Sequence, residues 1–224
     1  FLIQQRYADA GEALAGLEDT EDVRALRLFL ALRRLEDVQD ELLAVDPAHL
    51  SETAARMVSY TWMDLGEFER AQRTLEAMDA AHDPPGRLFA LARLEFLRGS
   101  WQEAERWGAQ ATRRFDETGR PDGSIAARDI VASARLKQGR AGAAVQLYRR
   151  NLEVARQLGL PSLVQSYNLA TCLLETGTRS DEIARLLESF EIEAARRGRV
   201  DLEHVACAAQ VHYAAVCQQL SLAH

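Results

Sequence analysis

Two short stretches constrain the fold more than anything else in the chain: Gly66-Glu67-Phe68-Glu69-Arg70-Ala71 and Gly99-Ser100-Trp101-Gln102-Glu103-Ala104. Each reads glycine, any residue, aromatic, two polar residues, alanine, and each lies between two segments of helical character. Ala71 and Ala104 stand 33 residues apart (104 − 71), and a fixed period of this size marks a stacked helical array. Glycine closes a helix at low cost because it enters the left-handed region without a Cβ penalty. The aromatic then falls in the first turn of the next helix, where it can fold back on the helix just completed. The alanine three residues on shares its face. A small side chain there lets antiparallel helices approach to the close end of the usual range, about 8 Å. These residues specify a tight hairpin rather than chemistry, and Phe68, Trp101 and both alanines are expected in the core.

Weaker copies flank the pair. Gln5-Arg6-Tyr7-Ala8-Asp9-Ala10 has the aromatic and the alanine without the glycine, and Arg33-Arg34-Leu35-Glu36-Asp37-Val38 keeps only apolar character. Gly139-Arg140-Ala141-Gly142-Ala143-Ala144 keeps glycine and alanine. Gly177-Thr178-Arg179-Ser180-Asp181-Glu182 keeps the glycine, with Ile183 and Ala184 where the small residue falls. From position 38 through 71, 104, 144 and 184 the steps are 33, 33, 40 and 40. The later repeats are therefore longer by about two helical turns. Their extra length falls at the end of each second helix, where Gly119-Arg120-Pro121, Gly159-Leu160-Pro161 and Gly198-Arg199-Val200 recur. Glycine followed by proline stops one helix and restarts the next.

Glycine, aromatic and alanine at these offsets resemble the tetratricopeptide repeat (TPR), whose period is about 34 residues. The longer copies look like those of the maltose-regulon activator and related large ATP-dependent bacterial regulators. They also resemble kinesin light chains and peptide-sensing regulators of Gram-positive bacteria. The resemblance implies an all-α, right-handed superhelical array of antiparallel helix hairpins, a TPR-like α-solenoid of about six repeats. It would form a single domain over 1–224: atypical repeats at 1–47, regular repeats at 48–199 and a capping helix at 200–224.

Helical spacing and breakers place the hairpins. A helix is expected at 7–17, then pairs at 21–32 with 35–44, 48–65 with 67–79, 87–98 with 101–118, 123–138 with 141–158 and 162–176 with 180–198. Glu18-Asp19-Thr20-Glu21-Asp22 offers an N-cap and first-turn carboxylates. His82-Asp83-Pro84-Pro85-Gly86 is the strongest breaker, and a bend or soft joint is expected there. The paired glycines within 119–123 and 139–142 read as turns.

A formal charge of −7 and a pI near 5.3 argue against a nucleic-acid surface. Lys137 is the only lysine among 27 basic residues. A GC-rich genome accounts for the bias; bidentate capture of carboxylates is the functional alternative. Cys172, Cys207 and Cys217 are few and odd in number, which suits free thiols in a reducing, cytoplasmic setting. No apolar run approaches the roughly 18 residues of a membrane span. The chain opens at Phe1 within helical character and reads as a piece of something larger.

Chemistry is sparse. No phosphate-binding glycine loop follows a strand-like run, and no nucleophile has a neighbouring His and acid. Asp201, His204, Cys207 and His212 step around the last segment in directions that one helix cannot close into a tetrahedron. The expectation is therefore no enzyme, no cofactor, no metal site and no catalytic residue.

The surface that remains is the groove. In the resembled arrays the first helix of each hairpin lines the concave side. That implies Arg56, Tyr60, Met63 and Asp64 in one repeat and Phe89, Arg93 and Phe96 in the next. Asp129, Ser133 and Leu136 follow, then Tyr167, Asn168 and Thr171. Two arginines among aromatics suit a peptide carrying an acidic side chain or a free carboxylate. Alternatively, Phe89 and Phe96 pack inside the hairpin and the arginines are solvated. The lysine-rich clamp of chaperone-binding members is missing. Three functions follow: a protein- or peptide-interaction scaffold within a cytoplasmic bacterial regulator of transcription, a sensor for a small molecule or signalling peptide, or a structural block for homo-oligomerisation.

Overall fold

A computed structural model of the chain describes residues 10–33, 36–78, 84–160, 162–177 and 181–196. All regular structure among them is helical. It comprises α1 (10–15), α2 (Glu21–Arg33), α3 (Gln39–Leu43), a 3-10 turn at Pro47–His49, α4 (Glu52–Asp64), α5 (Phe68–Ala77), α6 (Pro85–Leu97), α7 (Trp101–Glu117), α8 (Pro121–Lys137), α9 (Ala141–Gln157), α10 (Leu163–Glu175) and α11 (Asp181–Arg196). Chain segments form two compact units that divide inside α8, between Ile130 and Val131.

In the first unit, helix starts are set by small polar caps. Thr20 Oγ1 accepts from the Val23 amide at 3.3 Å, and Ser51 Oγ accepts from the Ala54 amide at 3.3 Å. Each satisfies an amide that has no partner within its own helix. The Ser51 amide also donates to Asp22 Oδ1 at 2.8 Å, which fixes the start of α4 to the start of α2. Packing runs α2 on α4, α4 on α5 and α6, and α6 on α7. Helices α2 and α4 thus each meet their own hairpin partner and the first helix of the next hairpin. The Arg87 guanidinium of α6 donates to the Leu75 carbonyl at 2.8 Å, near the end of α5 where cations are favoured. One continuous core takes in Val58, Trp62, Met63, Leu75, Leu91 and Leu94.

The hairpin motif behaves as its residue types dictate. Gly66 and Gly99 sit at φ 78° and 80°, where any Cβ would be strained. The Gly66 amide donates to the Met63 carbonyl and the Glu67 amide to the Trp62 carbonyl. Gly99 and Ser100 repeat the pattern on Phe96 and Glu95, so the last carbonyls of each first helix are satisfied. Ala71, Ala104 and Ala144 are fully buried. Phe68 packs against the core from the start of α5. Helix lengths also follow the period: α5 has 10 residues, α7 and α9 have 17.

Four expectations are corrected. Trp101 is 38% exposed rather than buried, because it opens α7 at the hairpin tip, where a large ring outgrows the helix end beneath it. In the last copy Ile183 fills the fully buried slot and Ala184 is exposed, so that step is 39 residues (183 − 144). The helix expected over 35–44 is only Gln39–Leu43. Asp37 Oδ1 accepts from the Gln39 amide at 3.2 Å, a local turn that competes with the helix. Gly123 and Gly142 are helical, in α8 and α9, rather than parts of turns. The 82–86 breaker lies partly outside the described residues; Pro84 and Pro85 open α6.

In the second unit α9 packs on α10 and α10 on α11. Its core joins Ala132, Ala144, Tyr148, Leu169, Leu173, Ile183 and Leu187. The Ser133 and Tyr148 hydroxyls share a hydrogen bond of 2.6 Å. The capping helix expected at 200–224 lies outside the described residues.

Candidate partner-binding site

Helices α4 and α6 bring four of the expected wall residues together. Arg56, Tyr60 and Asp64 are spaced four apart, one above another on α4, and Arg93 reaches over from α6. Its guanidinium carbon stands 4.7 Å from the centroid of the Tyr60 ring. Arg93 Nη2 donates to Asp64 Oδ1 at 3.2 Å. This is cation–π stacking joined to a half-exposed ion pair.

Two donors on this stretch of α4 are unsatisfied. Tyr60 is 8% exposed, and neither its hydroxyl nor Arg56 Nε has a hydrogen-bond partner among the described residues. Burial raises the Tyr60 phenol above its ordinary pKa of 10.0, against the opposing pull of Arg56 and Arg93. Buried polar atoms left unpaired cost about 1–3 kcal/mol each, so two in adjacent turns are a feature needing a reason.

Gly86 was legible only as part of a breaker, yet it shapes this site. A Cβ at Gly86 would lie 2.5 Å from Glu52 Oε1 and 3.3 Å from Arg56 Nη1. The missing side chain is what lets Arg56 lie against the start of α6.

The remaining expected residues are placed differently. Met63 is turned into the core, 3% exposed. Phe89 packs inside the α6–α7 hairpin, edge-on to Phe115 at 6.4 Å between centroids, and Phe96 is partly buried. Asp129 is buried in α8. In the second unit Tyr167 packs on Phe190 at 5.4 Å, and Asn168 is partly buried. The Thr171 hydroxyl is turned back onto its own helix, donating toward the Tyr167 and Asn168 carbonyls at 3.0 and 3.1 Å.

Cys172 is buried, and its thiol is pushed up to about 11 by that burial, with Glu175 adding to the shift. Such a thiol is a poor nucleophile. Among the described residues no cluster of three or more His, Cys, Asp and Glu could hold a metal ion. Asp201, His204, Cys207 and His212, like Cys217, lie outside them. No described helix is long and apolar enough to cross a membrane.

No family model matches the chain, and no curated protein does. Solved structures do. A Podosopora anserina kinesin light chain protein with nearly identical TPR-like repeats superposes with a TM-score of 0.52 at 21% identity, over 88% of this chain and 93% of that one. The apo form of RapI gives 0.49 at 11% identity, over 95% and 70%. With the hairpins described above, the kinesin light chain likeness gives the fold: an all-α, TPR-like array of antiparallel helix hairpins.

Proposed function

We propose that the chain is a protein- or peptide-interaction module of a larger regulatory protein, and that it grips a partner carboxylate on the face formed by α4 and α6. The single domain over 1–224, the bacterial cytoplasmic setting and the role in transcription regulation belong to this reading. One observation carries it: Tyr60 Oη and Arg56 Nε, one turn apart on α4, are buried without hydrogen-bond partners among the described residues, and Arg93, held by one half-exposed ion pair, lies over the Tyr60 ring.

Such a pair is worth about 0–1 kcal/mol, so Arg93 leaves Asp64 at little cost. An arriving carboxylate exchanges Asp64 for itself on Arg93 and finds the Tyr60 and Arg56 donors on α4. Charge-assisted hydrogen bonds of this kind contribute about 1.5–3 kcal/mol each. The chemistry is capture rather than reaction, as the face offers donors and no base beside a nucleophile.

The test is a peptide array in which every acidic sequence is paired with its Asn/Gln-substituted, C-terminally amidated counterpart. The 224-residue chain should retain acidic members and lose them on Arg56→Ala/Arg93→Ala. Equal retention of neutral counterparts, or no effect of the double substitution, contradicts the proposal.

A further inference from the structure

Along α4 the residues Glu52, Arg56, Tyr60 and Asp64 recur at every fourth position, each about one turn beyond the last. The ladder climbs about 18 Å from its first member to its last and turns by about 40° at each step. Helix α6 faces both of its ends. Near the first, the point where a Cβ would stand on Gly86 is 2.5 Å from Glu52 Oε1 and 3.3 Å from Arg56 Nη1. Near the last, Arg93 lies over the Tyr60 ring and donates to Asp64 Oδ1.

The groups follow an order: carboxylate, guanidinium, phenol, carboxylate, with the Arg93 guanidinium added over the phenol. Glu52 is exposed in the first turn of α4. Asp64 is the last residue of that helix, at the end where the dipole disfavours a negative charge, so the helix itself does not select it. The donors proposed to take a carboxylate are thus bracketed by acids. Two arginines and two carboxylates make the set neutral. A lone carboxylate entering it leaves one unbalanced negative charge on a chain of net charge −7. A carboxylate that arrives between two cations meets opposite charge along the whole ladder, and Asp64 exchanges Arg93 for a ligand cation.

Resting on the carboxylate capture proposed above, we infer that the partner segment carries an acidic residue bracketed by basic residues about three positions away on each side. The middle of the donor stretch lies about 9 Å along the axis from each bracketing carboxylate, and an extended peptide advances about 3.3 Å per residue. Glu52 and Asp64 are then the specificity-determining residues of the face. Charge complementarity of this kind sets specificity and register more than raw affinity. It turns away uniformly acidic segments that the donors alone would accept.

The probes are short fluorescein-labelled, C-terminally amidated peptides titrated into the full chain by anisotropy. One has a central glutamate with lysine three positions to either side in an alanine–serine background. In a second the lysines become glutamine, in a third glutamate, and a fourth keeps the lysines around a central glutamine. The lysine-flanked glutamate should bind about 5-fold tighter than the glutamine-flanked one, and the all-glutamate peptide should bind weaker than both. Glu52→Gln/Asp64→Asn should erase that flank preference, and Glu52→Gln alone should remove part of it. Glu103→Gln/Glu117→Gln, which takes the same charge from two exposed positions of α7, should leave it intact. Flanks that bind alike, with central glutamate still tighter than central glutamine, overturn the inference and leave carboxylate capture standing. Central glutamate and glutamine that bind alike between lysines overturn both. A flank preference that survives Glu52→Gln/Asp64→Asn, or falls as far with Glu103→Gln/Glu117→Gln, belongs to net charge and overturns the inference too.

Discussion

The Arg93 guanidinium lies 4.7 Å from the Tyr60 ring centroid, over a phenol whose hydroxyl has no hydrogen-bond partner among the described residues. A hydrophobic core would not select such an arrangement. Phenylalanine at 60 would pack the same ring and leave no polar atom stranded.

Tyr60→Phe is therefore expected to stabilise the chain by about 1 kcal/mol, the lower end of the cost of a buried unpaired group, while weakening retention of acidic peptides. Urea unfolding of the two chains checks the first part. A loss of stability above about 1 kcal/mol would mean that the hydroxyl is satisfied in solution.

Glycine at 123 and glycine at 142 make opposite predictions although both sit in first turns of helices. A Cβ at Gly123 would run into the ring of Phe115, which is itself buried, whereas at Gly142 it meets nothing within 4 Å. Gly123→Ala should cost about 1–3 kcal/mol by overpacking. Gly142→Ala should gain up to about 1 kcal/mol through helix propensity. Thermal or urea midpoints of the two variants decide the matter.

Cys172 predicts an alkaline loss of stability. Its folded pKa is raised from 9.0 to about 11, so the unfolded chain gives up the proton first. The contribution is whole below pH 9 and is lost as pH rises through 11. Urea midpoints of the natural chain and of Cys172→Ala, compared across that window, should converge or cross against the natural chain. A constant difference would contradict the shift. In the folded protein the thiol should also resist a thiol reagent at neutral pH.

Much of the fold was legible because its determinants are local. The turn at Gly66 needs positive φ, and the closure at Ala71 and Ala104 needs a small residue three positions after the aromatic. Both requirements are visible in six residues. The shortness of α3 was not, since it depends on Asp37 choosing its own backbone over the helix. Nor was the exposure of Trp101, which depends on how much helix end is available to cover it. Of the site, Arg56, Tyr60 and Arg93 could be placed by offset from the glycines. What offsets cannot convey is that Met63 and Phe89 turn into packing, that Gly86 clears space for Arg56, or that two donors end up buried and unpaired. Those follow from the spacing between α4 and α6.

The most direct test of the account is calorimetric titration of the best acidic peptide from the array into three chains: natural, Tyr60→Phe and Arg56→Ala/Arg93→Ala. The account predicts weakening of about 10-fold for the first substitution and about 100-fold for the second. Affinities unchanged in both would contradict the claim that this face exists to hold a carboxylate.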